Sequence, residues 1–258
     1  MIYRSPYPDV DIPNASLPEH LFEHAAKYAD KAALIDGPTG RTVSYSQLVT
    51  AVRRTAAGLA DRGFAKGDVF AIYSPNIPEY AIAFFAVAAA GGINTTVNPL
   101  YTADELHRQL VDAHAKFLVT IPPFLDKAIA AAADTQIEEI FVFGSADGAT
   151  SFAAIAVDKD RPTDIDIDPQ EDLVALPYSS GTTGLPKGVM LTHHNLVANL
   201  CQTHRVEQLS EKEVVIGILP FYHIYGMVVI MSGALRVGAT IVTMPRFDLE
   251  QFLELLQT

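Results

Sequence analysis

Six short apolar runs do most to limit what this chain can fold into: residues 69–73, 116–120, 140–143, 173–176, 214–219 and 239–243. Runs of this length without polar alternation suit strands buried on both faces, the pattern of a parallel sheet. Helix signals fall among them. Ser16, Ser44 and Thr102 each stand three residues before Glu19, Gln47 and Glu105, the spacing at which a hydroxyl cap and a side chain one turn later satisfy each other's orphan N–H groups. Residues 80–92 (YAIAFFAVAAAGG) read as a buried core helix, and helices are also predicted from Thr192 to about Val206 and over 249–256. The expected fold class is therefore α/β, with parallel-rich sheets covered by helices. The stretch 158–172 (DKDRPTDIDIDPQED) is dense in acids with no helical period. It reads as an acidic, solvated connector between a first α/β subdomain, 1–157, and a second region, 173–258; a surface excursion within one continuous sheet is the alternative.

Composition removes several function classes. Thirty acidic against 18 basic residues give a formal charge of −12, unsuited to general binding of nucleic acid or anionic membrane, which reward clustered Lys and Arg. Residues 80–92 fall short of the roughly 20 residues that a membrane-spanning helix needs. With neither a basic nor an apolar leader at the N-terminus and a single cysteine, the expected compartment is the cytoplasm, without intrachain disulfides. Cys201 reads as a small core residue and not as a nucleophile.

The chemistry concentrates in residues 178–192, YSSGTTGLPKGVMLT. Ser179, Ser180, Thr182 and Thr183 offer hydroxyls, and Gly181 and Gly184 let backbone N–H groups converge on an anion. Lys187 adds a mobile positive charge, and Pro186 pushes Leu185 toward an extended conformation. A Walker A loop would follow its lysine with Ser or Thr and open a helix. Here Gly188 follows, and 189–192 reads as a strand, so the loop is expected between two strands as a hairpin-like phosphate grip; a mobile Ser/Gly linker is the bland alternative. The pair His193–His194 invites a metal reading, but adjacent helix positions point about 100° apart, and a bracing of the loop's exit by Thr192 and His193 is preferred. Residues 219–226 (LPFYHIYG) form an aromatic-rich turn at the end of an apolar strand, where ligands sit in doubly wound sheets. On the residues alone, His223 is either a packed, hydrogen-bonded side chain or a ligand-facing one.

The run SSGTTGLPKGVMLTH resembles the signature of the adenylate-forming superfamily, and the 4-coumarate–CoA ligase branch is similar in order across the opening YRSPYPDVDIPNASLPEHLFE, the middle GGINTTVNPLYTADELHRQL and the later ILPFYHIYGM and MPRFDLEQFL. The resemblance implies the N-terminal part of an ATP-dependent acyl-CoA synthetase, of 4-coumarate or fatty-acyl type. A carboxylate attacks the α-phosphate of ATP to give acyl-AMP and pyrophosphate, and the thiol of coenzyme A then displaces AMP. It implies catalytic roles for Lys187, His223 and Thr183, and ATP binding by Ser179, Ser180, Gly181, Thr182, Thr183, Gly184 and Lys187, with Mg²⁺. It implies an acyl site bordered by His223, Tyr225 and Gly226, with Met227 shaping its width. Arg246 stands where the branch commonly carries a lysine that contacts coenzyme A. The family's adenine and ribose motifs, its acidic metal-ligating position and its C-terminal lysine domain have no counterpart before Thr258. The expectation is thus a fragment with little activity alone, whose partner is the missing C-terminal half. A non-catalytic nucleotide-binding or interaction module, an acyl-AMP ligase feeding a carrier protein, and a simple ATPase are the alternatives.

Overall fold

The computed structural model of the protein describes residues 5–158, 165–180 and 186–257. In chain order its elements are α1 (Leu17–Phe22), β1 (Ala32–Asp36), β2 (Thr42–Ser44), α2 (Tyr45–Asp61), β3 (Val69–Tyr73), α3 (Pro78–Ala89), β4 (Ile93–Thr96), α4 (Ala103–Asp112), β5 (Ala115–Thr120), α5 (Leu125–Ala132), β6 (Glu139–Val142), β7 (Thr150–Ser151), β8 (Leu173–Ala175), β9 (Tyr178–Ser180), β10 (Pro186–Gly188), β11 (Leu191–Thr192), α6 (His193–Glu207), β12 (Val214–Gly217), a π-helix (Tyr225–Gly233), α7 (Ala234–Val237), β13 (Thr240–Thr243) and α8 (Leu249–Leu255). All three capping boxes form, at the starts of α1, α2 and α4. A fourth, Thr192 with Asn195, opens α6.

The strands make two larger sheets and a hairpin. One sheet has the order β11-β8-β4-β3-β5-β6-β7, parallel except for β11, and the other the order β12-β13-β1-β2, parallel except for β2. Both sheets draw strands from either side of the acidic connector, so the division at 158–172 is one of chain order and not of sheets. From residue 165 onward the connector is anchored: Lys66 donates to the Asp166 carbonyl and pairs with Asp172.

The core explains most of the placement. Helix α3 is apolar on every side and almost wholly buried, as such a helix must be. Phe64, Phe70, Phe117 and Phe141 pack edge-to-face and stacked between α2 and β3, β5 and β6, each burial contributing about 1.5–3 kcal/mol. Gly58 lies within α2, where a Cβ would stand 1.6 Å from the Ile155 carbonyl oxygen; only glycine admits the 152–155 turn so closely. Cys201 is half-buried against the core, and burial raises its thiol pKa. Among the described residues no helix is long and apolar enough to cross a membrane.

One sequence expectation is corrected, and two places gain detail that the sequence did not show. Residues 189–192 do not form one strand: Pro186–Gly188 pairs with β9, residues 189–190 leave the ladder with Met190 exposed, and only Leu191–Thr192 pairs with β8. The turn at 219–226 leads directly into a π-helix. His193 braces α1, its Nδ1 accepting a 3.0 Å hydrogen bond from the Leu17 N–H.

That brace makes stability pH-dependent. Burial lowers the pKa of His193 to about 4, and burial followed by the Arg236 charge lowers that of His20 to about 4. An unfolded histidine titrates near 6.5, so the unfolded chain takes up these protons first, and the stability that the neutral rings contribute is complete above pH ~6.5 and lost as pH falls toward 4. Urea midpoints should drop over that window. Replacing His193 with Asn or Gln should flatten the drop, and an unchanged profile would contradict the assignment.

Candidate active site

The described part of the site lies beyond the carboxyl ends of parallel strands from both sheets. Strands β8 and β11 belong to the seven-stranded sheet, and the chain between them forms the β9–β10 hairpin. In it Lys187 stands directly opposite Ser179, and Ser180 opposite Pro186. Directly opposed residues share a face, so the Lys187 cation and the Ser179 hydroxyl project to the same side. Lys187 is exposed. Gly181, Thr182, Thr183, Gly184 and Leu185 lie outside the described residues. The hairpin's root is fixed by the Tyr178 hydroxyl, which donates to the Asp112 carboxylate at the end of α4. Burial, then this carboxylate, raises the Tyr178 pKa and keeps the phenol a donor.

From the other sheet comes the turn after β12. Its His223 and the hairpin's Ser179 line one cavity of about 500 Å³. Tyr101, Tyr222, Val189 and Leu191 supply much of the apolar wall, and Asn98 and Gln109 add polar groups. The ring of His223 is oriented, because its Nδ1 accepts from the Tyr225 N–H at 3.3 Å. A neutral His223 therefore carries its proton on Nε2, free to donate to a ligand oxygen. Burial raises the pKa of Tyr222, and burial followed by Glu105 raises that of Tyr101, so both line the cavity as neutral phenols. A hydroxyl and an imidazole N–H beside an apolar wall, with the Lys187 cation on the Ser179 face of the hairpin but outside the cavity's lining, suit a ligand with an anionic end and an apolar body.

The remaining expected residues sit apart from this cavity's lining. Tyr225 is half-exposed at the start of the π-helix, and Arg246 is exposed after β13. Gly226 and Met227 are buried.

Sequence reading did not find what holds the turn. Asn76, just past β3, donates through Nδ2 to the carbonyls of Gly217 and Leu219 and accepts through Oδ1 from the Phe221 N–H, each at 2.8 Å. Thr96, at the end of β4, donates to the Tyr222 carbonyl at 2.8 Å. Gln109 donates to Thr95 Oγ1 and the Thr96 carbonyl. The available signal was positional: polar residues at the carboxyl ends of strands.

The chain matches the AMP-binding enzyme family over residues 21–258. It is 39% identical over 262 residues to a 4-coumarate–CoA ligase of Oryza sativa, covering 100% of this chain and 47% of the relative, and 40% identical over 264 residues to one of Petroselinum crispum, covering 100% and 48%. The chain thus spans about half the length of the relatives it matches. Among solved structures, a long-chain-fatty-acid–CoA ligase from Archaeoglobus fulgidus superposes with a TM-score of 0.89 at 25% identity, over 98% of this chain and 51% of that one. ATP-bound MatB from Rhodopseudomonas palustris gives 0.82 at 32% identity, over 95% and 48%.

Close packing beneath His223 is testable. A Cβ on Gly226 would stand 2.0 Å from the Pro220 carbonyl oxygen, whose lone pairs also accept the His223 N–H. Gly226→Ala must therefore push the turn, with an expected loss of about 1–3 kcal/mol in urea unfolding. An unchanged midpoint would refute the contact.

Proposed function

The chain belongs to the AMP-binding enzyme family, and we propose that it is the N-terminal part of an ATP-dependent acid–thiol ligase that makes acyl-CoA. The observation that carries this reading is the meeting of Ser179 and His223 in one cavity, with Lys187 on the Ser179 face of the hairpin.

In the first half-reaction a carboxylate oxygen attacks the α-phosphorus of ATP, the bond to the bridging oxygen breaks, and pyrophosphate leaves. Negative charge then builds on the leaving group and on the in-flight phosphoryl oxygens, so catalysis asks for preorganised donors more than for a protein nucleophile. Ser179, Ser180, Gly181, Thr182, Thr183 and Gly184 are assigned to holding the phosphates. Lys187 and Thr183 neutralise the leaving pyrophosphate, and His223 Nε2–H meets an oxygen of the reacting carboxylate or α-phosphate. In the second half-reaction the coenzyme A sulfur attacks the acyl carbon and AMP departs, with Arg246 assigned to coenzyme A and Tyr225 and Gly226 to the acyl side. Mg²⁺ enters this reading as a companion of the nucleotide's phosphates.

The full-length protein should catalyse carboxylate-dependent exchange of labelled pyrophosphate into ATP, and Lys187→Ala should slow it by about 100-fold or more, the scale of losing one preorganised charge-stabilising donor. Undiminished exchange in the variant would overturn the loop's role, and ATP hydrolysis without added carboxylate would favour an ATPase instead.

A further inference from the structure

The groups assigned to one reaction come from different sheets. Ser179 and Lys187 ride on a hairpin between β8 and β11 of the seven-stranded sheet, whereas His223 follows β12 of the four-stranded sheet. Packing such as Tyr80 against Phe221 joins the two frames, and the side-chain hydrogen bonds that tie the turn before His223 directly to the hairpin's sheet come from Asn76 and Thr96.

We propose that Asn76 and Thr96 are positioning residues that lock His223 into the frame of the phosphate hairpin. This rests on the reading of Ser179, Lys187 and His223 as one site. Asn76 extends from β3 and Thr96 from β4, both strands of the hairpin's own sheet. Between them they engage the carbonyls of residues 217, 219 and 222 and the N–H of 221. Four backbone groups in six residues are thus fixed immediately before His223, whose own N–H is tied back to Pro220 at 3.1 Å.

The chemistry of Asn76 leaves it one orientation. Carbonyls only accept and an N–H only donates, so exchanging the amide's oxygen and nitrogen would lose three bonds at once. Both Nδ2 hydrogens are used, and the side chain is 5% exposed, so the group is committed to the turn and unavailable to a ligand. Aspartate has nearly the same shape but would face two carbonyl oxygens with no donor. Thr96 also lines the cavity, but its hydroxyl hydrogen is committed to the Tyr222 carbonyl; serine keeps that hydroxyl, and valine keeps the bulk while removing it.

The consequence is geometric. A displacement of about 1 Å at a reacting group can cost about 100-fold in rate. Removing the clamp should therefore lower kcat while leaving ATP affinity, which depends on the hairpin, little changed.

Pyrophosphate exchange in the full-length protein decides it. Thr96→Val and Asn76→Asp should each reduce kcat by about 100-fold with the KM for ATP within about twofold, while Thr96→Ser retains most of the rate. In this chain the imidazole resonance of His223, identified by its loss in His223→Gln, should shift in the Val and Asp variants and stay put in Thr96→Ser. Variants with lower unfolding midpoints but kcat and the His223 resonance unchanged would overturn the proposal and leave a mere structural staple. Should Asn76→Asp not fold, the Thr96 pair decides alone. Should Lys187→Ala also leave exchange intact, the site assignment fails, and the His223 resonance alone judges the clamp.

Discussion

The turn before His223 cannot satisfy its own backbone, and the rest of the site depends on how that need is met. Carbonyls 217, 219 and 222 and the N–H of 221 all receive partners from side chains of the opposite sheet. Two of the four bonds, those to the Gly217 carbonyl and the Phe221 N–H, are buried, and leaving such a group unpaired costs about 1–3 kcal/mol. Stability and active-site geometry are thereby tied to the same few bonds. The neighbouring strand β4 shows the same logic: Asn94 donates to the Phe84 and Val174 carbonyls, and Thr95 to that of Leu176.

Electrostatics act locally against the background of the whole chain. A molecule with a formal charge of −12 repels an incoming polyphosphate at long range. On the proposed function, binding requires donors held at short range; the hairpin sets Lys187 opposite Ser179, and the Tyr225 N–H fixes the His223 tautomer.

Much of the architecture was legible in the sequence, for physical reasons. Apolar runs such as 69–73 and 116–120 suit a sheet buried on both faces, and a hydroxyl three residues before Glu or Gln satisfies the orphan donors at a helix start, as it does at α1, α2 and α4. A hairpin-like grip was legible only in outline: Gly188 after Lys187 departs from the Walker-type pattern, but the strand that closes the hairpin is 186–188 and not 189–192. Strand β4 was not, since Ile93–Thr96 is mostly polar and becomes a central strand only once distant carbonyls at 84, 174, 176 and 222 accept its side chains. Asn76 was hidden for the same reason: its partners lie about 140 positions later, and no local pattern records them. The split of 189–192 followed from pairing partners, β9 for one segment and β8 for the other, which periodicity cannot assign.

That the hairpin and His223, carried by different sheets, address one ligand is the proposal on which the site rests. It is tested most directly by a crystal structure of the full-length protein with a non-hydrolysable ATP analogue. The account predicts the triphosphate along the β9–β10 hairpin, with Ser179 and Lys187 on its oxygens and His223 Nε2 turned toward the α-phosphate. A triphosphate bound elsewhere, or bound at the hairpin with His223 facing away and the Asn76 bonds intact, would contradict it.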